Sequence, residues 1–147
     1  MLARYYRFAA EGWFAVRVAV WLCAASWRLR RQSLASAVRP AVSPDSSRIP
    51  PLPMERAVRI VLRVCRTGIF RLPFFPRPCL RRSMALCHFL ARMGYPVTLH
   101  VGVRKDDGMF EGHSWVTVRG VRIGDTAPEG HFQALYEYSP LEEAAGS

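Results

Sequence analysis

The chain has 147 residues, half of them hydrophobic and 12% aromatic, enough apolar mass for one modest core, which excludes a multidomain machine and a wholly disordered chain. Its formal charge of +10 is uneven, with 16 basic and 3 acidic groups in residues 1–82 against 5 and 8 in residues 83–147. All the basic residues but Lys105 are arginines, which favour bidentate contact with carboxylates or phosphates.

Residues 1–35 read as an amphipathic helical segment. Arg4 and Arg7 precede an apolar stretch from Phe14 to Trp27 that Arg17 interrupts, leaving Val18 to Trp27 as the longest uncharged piece. Ten residues are too few to span a bilayer, for which about 20 are needed. At 100° per residue Arg17, Arg28 and Arg31 share one face, while Phe14, Val18, Trp21 and Leu22 cluster elsewhere. Packing or partner docking is the favoured role, with contact at a membrane surface the lesser one.

Residues 36–53 hold five of the eleven prolines and no apolar period, and read as a linker. A domain is expected over 54–138. It opens with an amphipathic helix at about 54–67, with Arg56, Arg59, Arg63 and Arg66 on one side and Val58, Val61, Val64 and Cys65 mainly on the other. That arginine stripe is either a solvated face or a cradle for an acidic peptide. From Pro73 to Cys79 the prolines keep the chain extended. Leu80, Met84, Leu86, Cys87, Leu90 and Ala91 then predict a helix over about 79–93, stopped at Gly94. Three antiparallel strands follow at 96–103, 110–118 and 121–125, punctuated by Asp106-Asp107-Gly108 and Gly120. A short helix around Phe132–Tyr136 and a frayed acidic tail over 139–147 complete the reading.

Chemistry concentrates at three residues. Cys79 falls in the first turn of its helix, where unpaired backbone N–H groups and the positive end of the helix dipole favour a thiolate and can hold an oxyanion, with Arg81 and Arg82 adding positive charge. Its bland alternative is a small buried apolar side chain. Cys23, Cys65 and Cys87 lie inside apolar faces. A cysteine nucleophile needs a base oriented by a third group, and His113 and Asp125 supply the types. Each has its own bland reading, a structural strand histidine and a turn aspartate. Pairing them across Gly120 requires residue numbers summing to 238 and a three-residue loop at 118–120. A two-residue loop gives 239 and puts them on opposite faces. The order Cys, His, Asp on a helix start and successive strands is that of papain-like and transglutaminase-like folds, so the expected class is α+β: a catalytic helix, a small antiparallel sheet and an α-helical N-terminal extension.

Metal ligation is not expected, because Cys87, His88, His100 and His131 do not fall at ligand spacings, and no cofactor is expected. Nor is nucleic acid, since the arginines lie on amphipathic helices without a recognition motif. Four cysteines without a CxxC pair do not make a secreted disulfide framework, so a reducing cytoplasm is the expected compartment.

The segment Cys79-Leu-Arg-Arg-Ser-Met-Ala-Leu86, the step Gly94-Tyr-Pro-Val97 with Val101-Gly-Val103, the element His113-Ser-Trp-Val116 and the later Asp125 together resemble the lasso peptide leader peptidases, transglutaminase-like cysteine proteases, over roughly residues 70–135. The resemblance implies removal of the leader from a ribosomally made precursor peptide, with Cys79 as nucleophile, His113 as general base and acid, and Asp125 orienting the imidazole. It implies a separate leader-binding protein, since residues 1–50 are too short and helical for a winged-helix domain, and an ATP-dependent lasso cyclase that closes the core. Ser114 replaces the family's usual Ala, and Thr117 stands where an acidic residue is common. An amine- or acyl-transfer enzyme with the same triad and a non-catalytic arginine-rich peptide adaptor are the alternatives.

Overall fold

The computed structural model describes residues 2–33, 36, 38, 52–67, 78–125 and 132–145. Most of the 36–53 stretch and the run Pro73–Arg77 lie outside the described residues.

Helix α1 runs Leu2–Arg31. Phe14, Val18, Leu22 and Ala25, at spacings of four, four and three, are buried, so the apolar face read from the sequence is the one that packs. The opposite face departs from expectation. Arg17 and Arg28 are half-buried, and Trp13, Val16, Val20 and Trp27 are exposed in place of a charged surface. The helix stretch Phe8–Arg31 (24 residues) holds an 18-residue window of mean hydropathy 1.4, long and apolar enough to cross a membrane by length and composition, a test that the core helix of a soluble protein also passes. The count of ten uncharged residues understated it, because a hydropathy average absorbs Glu11 and Arg17. Glu11 is ion-paired to Arg56 at 2.8 Å, which ties α1 to the next helix.

That helix, α2, spans Met54–Cys65, two residues shorter than the apolar pattern suggested. Its first turn donates Arg56 and Ala57 N–H groups to the Pro53 carbonyl, and Ala57 and Val61 face the core. Helix α3 spans Pro78–Arg92. Proline suits the first helical position, where no N–H is needed, so the helix starts one residue before Cys79. It ends where expected: Gly94 has φ +85° and the Tyr95 N–H reaches back to the Leu90 carbonyl at 3.0 Å, a Schellman closure. Eleven of its fifteen residues are buried, which makes α3 the central element of the fold.

The sheet comprises β1 (Val97–Asp106), β2 (Met109–Val118), β3 (Val121–Ile123) and β4 (Gln133–Tyr138), all antiparallel in the order β3-β2-β1-β4. Positive φ at Asp107 and Gly108, and at Arg119 and Gly120, marks both hairpins as two-residue turns of the type whose twist matches the strands. Val97, Leu99, Val116 and Val118 bury one sheet face, against which α3 packs, with α1 and α2 on its far side. The expected helix around Phe132–Tyr136 is instead β4. Gln, Ala, Leu and Glu are good helix formers, but six residues alone are below helix-forming length, and pairing with the open edge of β1 prevails. The tail holds a short helix, α4 (Pro140–Ala145), where fraying was expected. The architecture is the expected α+β one.

Candidate active site

Cys79, at the second position of α3, is half-buried and opens onto a cavity of about 540 Å3. His113 and Ser114 of β2, Val101, Gly102 and Val103 of β1, and Leu29, Gln32 and Ser33 at the end of α1 line the same cavity. The contribution from α1 was not visible in the sequence, where Gln32 stands 47 positions before Cys79 with no motif to link them.

His113 Nε2–H donates to Asp125 Oδ2 at 2.9 Å. With the carboxylate holding the proton on Nε2, Nδ1 carries the lone pair that a general base needs. The register that delivers this contact is not the one the sequence argument required. Val118 pairs with Val121, Thr117 with Arg122 and Val116 with Ile123, so the sum is 239 and the loop has two residues. Strict alternation would then turn Asp125 away from His113. It does not, because β3 stops at Ile123 and Gly124, at φ +68°, redirects the chain before Asp125. Gly124 is also pressed against α3, where a Cβ would come within 3.0 Å of Leu86.

The Asp125 side chain is 3% exposed and charge-compensated. Arg82 Nη2 donates to Oδ1 at 3.1 Å, and Arg122 Nη1 lies 3.8 Å from Oδ2. Arg82, one turn after Cys79, is thus hydrogen-bonded to the aspartate, a contact the sequence reading did not foresee. Arg81 is buried and sits close enough to Cys65 to act on it electrostatically. Burial pushes the Cys65 thiol up to about 11 despite the opposing pull of Arg81 and Arg82, and burial also raises Cys87. All four cysteines are free.

Aromatic rings wall in the imidazole. Phe132 lies 4.9 Å from His113, and Trp115 stacks at 6.2 Å with Arg122 4.5 Å over its own ring. On the far side of Trp115, His100 stacks at 5.3 Å; its Nδ1–H donates to Glu137 and its Nε2 accepts from Thr117, both at 2.9 Å. Thr117 thus has a partner in His100. Ser114 is likewise engaged: Ser83 Oγ–H donates to its carbonyl at 2.9 Å, pinning α3 to β2 beside His113. Among the described residues no group of three or more His, Cys, Asp or Glu is placed to hold a metal ion.

Selective alkylation is an expected consequence. At neutral pH iodoacetamide should label Cys79 first, and Cys65, whose thiol is raised from 9.0 to about 11, holds about a hundredfold less thiolate than an ordinary cysteine. Peptide mapping of partly labelled folded protein reads the order directly, and equal labelling of the four sites would contradict it.

The arrangement can support acyl chemistry on a cysteine: a thiol in a first helical turn, an imidazole with a free lone pair on one cavity wall, and a buried carboxylate fixing that ring. No curated protein and no solved structure matches the chain. The transglutaminase-like superfamily model matches residues 13–137, from inside α1 to β4. The chain therefore belongs to the transglutaminase-like superfamily, whose enzymes are generally of the cysteine-protease and acyltransferase kind.

Proposed function

We propose that this protein is a cysteine endopeptidase that removes the leader from a ribosomally synthesised lasso precursor peptide. Cys79 is the nucleophile, His113 its general base and then the acid for the leaving amine, and Asp125 the residue that orients the imidazole. The observation that carries the reading is the 2.9 Å bond from His113 Nε2 to Asp125 in a cavity that Cys79 shares. The motifs His113-Ser-Trp-Val116 and Cys79-Leu-Arg-Arg82 supply the link to lasso leaders.

In this mechanism the thiolate attacks the scissile carbonyl, the backbone N–H groups of the first turn of α3 stabilise the oxyanion, and the amine leaves with the proton from His113. Water, activated by the same imidazole, then hydrolyses the thioester. A separate leader-binding protein presents the precursor, and an ATP-dependent cyclase closes the released core. The setting is a reducing cytoplasm, which suits four free thiols.

Mass spectrometry of a precursor peptide incubated with the protein and its leader-binding partner tests this, beside a Cys79→Ala control. Cleavage at one bond by the wild type alone is the expected result. An intact peptide that is nonetheless bound points to the adaptor role, and an amine adduct in place of a free carboxylate points to acyl transfer.

A further inference from the structure

The outer face of α1 is unusual for a helix whose inner face already fills the core. Trp13, Val16, Val20, Cys23 and Trp27 recur at spacings of three and four on one side, and all five are exposed. The four large ones show 62%, 53%, 65% and 56% of their surface. The two indoles stand 14 residues apart, about 21 Å along the axis at 1.5 Å per residue. No other described element exposes a comparable row, the remaining exposed large hydrophobics being scattered over α1's first turns and the sheet.

Charge decides what fits there. Residues 12–33 contain no Asp or Glu, whereas Arg17, Arg28, Arg30 and Arg31 border the row on both flanks and at its C-terminal end. The helix's one acid, Glu11, is engaged with Arg56 of α2. Beyond it, Arg59 and Arg63 share a surface cavity with Glu11, so basic groups also stand near the other end. A second copy of α1 laid along the row would set arginine against arginine with no carboxylate to offset them. An anionic lipid surface meets both requirements at once: acyl chains accept valine and the tryptophan rings, while headgroup phosphates accept the arginines and the indole N–H groups.

We infer that α1 docks the protein, lying flat, on an anionic membrane surface through Trp13, Val16, Val20 and Trp27. Spanning is a different state: it would pull Phe14, Val18 and Leu22, each at most 2% exposed, out of the core. Docking in the plane leaves that core intact and uses the side of the helix the fold leaves bare. Because Leu29, Gln32 and Ser33 line the cavity shared with Cys79, the cleft opens within about two turns of Trp27, at one end of the docked row.

The full chain should co-sediment with vesicles of equal parts phosphatidylcholine and phosphatidylglycerol at least about tenfold more tightly than with phosphatidylcholine alone, the low end of what several surface arginines contribute on an anionic leaflet. High salt should weaken that binding, and tryptophan emission should shift to the blue on contact. A Trp13→Ser/Trp27→Ser variant should lose binding while melting at the wild-type temperature, since neither side chain is in the core. Equal binding by this variant, equal binding to neutral vesicles, or no binding at all overturns the inference. So does a homodimer or a protein complex that forms through the row and is dissolved by the same two substitutions without any vesicle binding.

Discussion

Asp125→Asn should lower kcat on the precursor by about 10³–10⁴-fold, the loss that follows when a catalytic imidazole is left in the wrong tautomer. Both carboxylate oxygens accept hydrogen bonds here, one from Arg82 and one from His113. Asparagine has one oxygen. A guanidinium can only donate, so the amide oxygen stays with Arg82 and the NH2 group turns to His113. That forces Nε2 to accept, moves the ring proton to Nδ1 and leaves no lone pair for the thiol. Adding Arg82→Ala to the Asn variant releases the amide to rotate, so the double variant should be more active than the single one. Alkylation of Cys79 at neutral pH should follow the same order, and melting curves separate it from loss of fold. A single variant with wild-type kcat, or a double variant weaker than the single, would sink this account of Asp125.

Gly102→Ala is expected to cost about 3 kcal/mol, the upper end for overpacking, and to lower the melting temperature by about 10 °C at this chain length. A Cβ at Gly102 would overlap the Gln133 carbonyl and come within 3.0 Å of Trp115. The strand pairing already shifts register between Val101 and Gly102, so β4 can sit this close to β1 only where one residue lacks a side chain. Displacing β4 also disturbs Phe132 and the rings around His113, so activity should fall beyond what lost stability accounts for. Gly112→Ala is the matched control, because open space surrounds that position and its melting temperature should not move. Similar melting for the two variants would show that the sheet yields at Gly102.

Local signals were legible where local physics decides the outcome. The period of Leu80 to Ala91 with Gly94 behind it located α3, and the Asp-Gly and Arg-Gly turns located both hairpins, because caps and left-handed turn residues act within a few positions. Cys79, His113 and Asp125 were singled out by type and order; in the structure His113 is hydrogen-bonded to Asp125, and Cys79 and His113 line one cavity. What escaped was set by tertiary partners. Register parity misjudged Asp125 because it assumed that β3 continues, and Gly124 ends that assumption. Residues 132–136 looked helical because nothing in them records the vacant edge of β1. The charged outer face assigned to α1 failed because a wheel of Arg17, Arg28 and Arg31 leaves out Trp13, Val16 and Val20, which occupy the remaining side.

The position of Asp125 also sets an order of events. Its carboxylate is gripped by Arg82 from α3, His113 from β2 and Arg122 from β3, residues that lie up to 43 positions from it in the chain. The β2–β3 hairpin can bring His113 to Asp125, but Arg82 and the thiol arrive only with α3, so a half-folded molecule holds a thiol with nothing to set it beside the imidazole. Alignment of imidazole, carboxylate and thiol is thus coupled to completion of the tertiary structure. The complete junction exists only once the ribosome has passed residue 125 and the sheet has closed on α3.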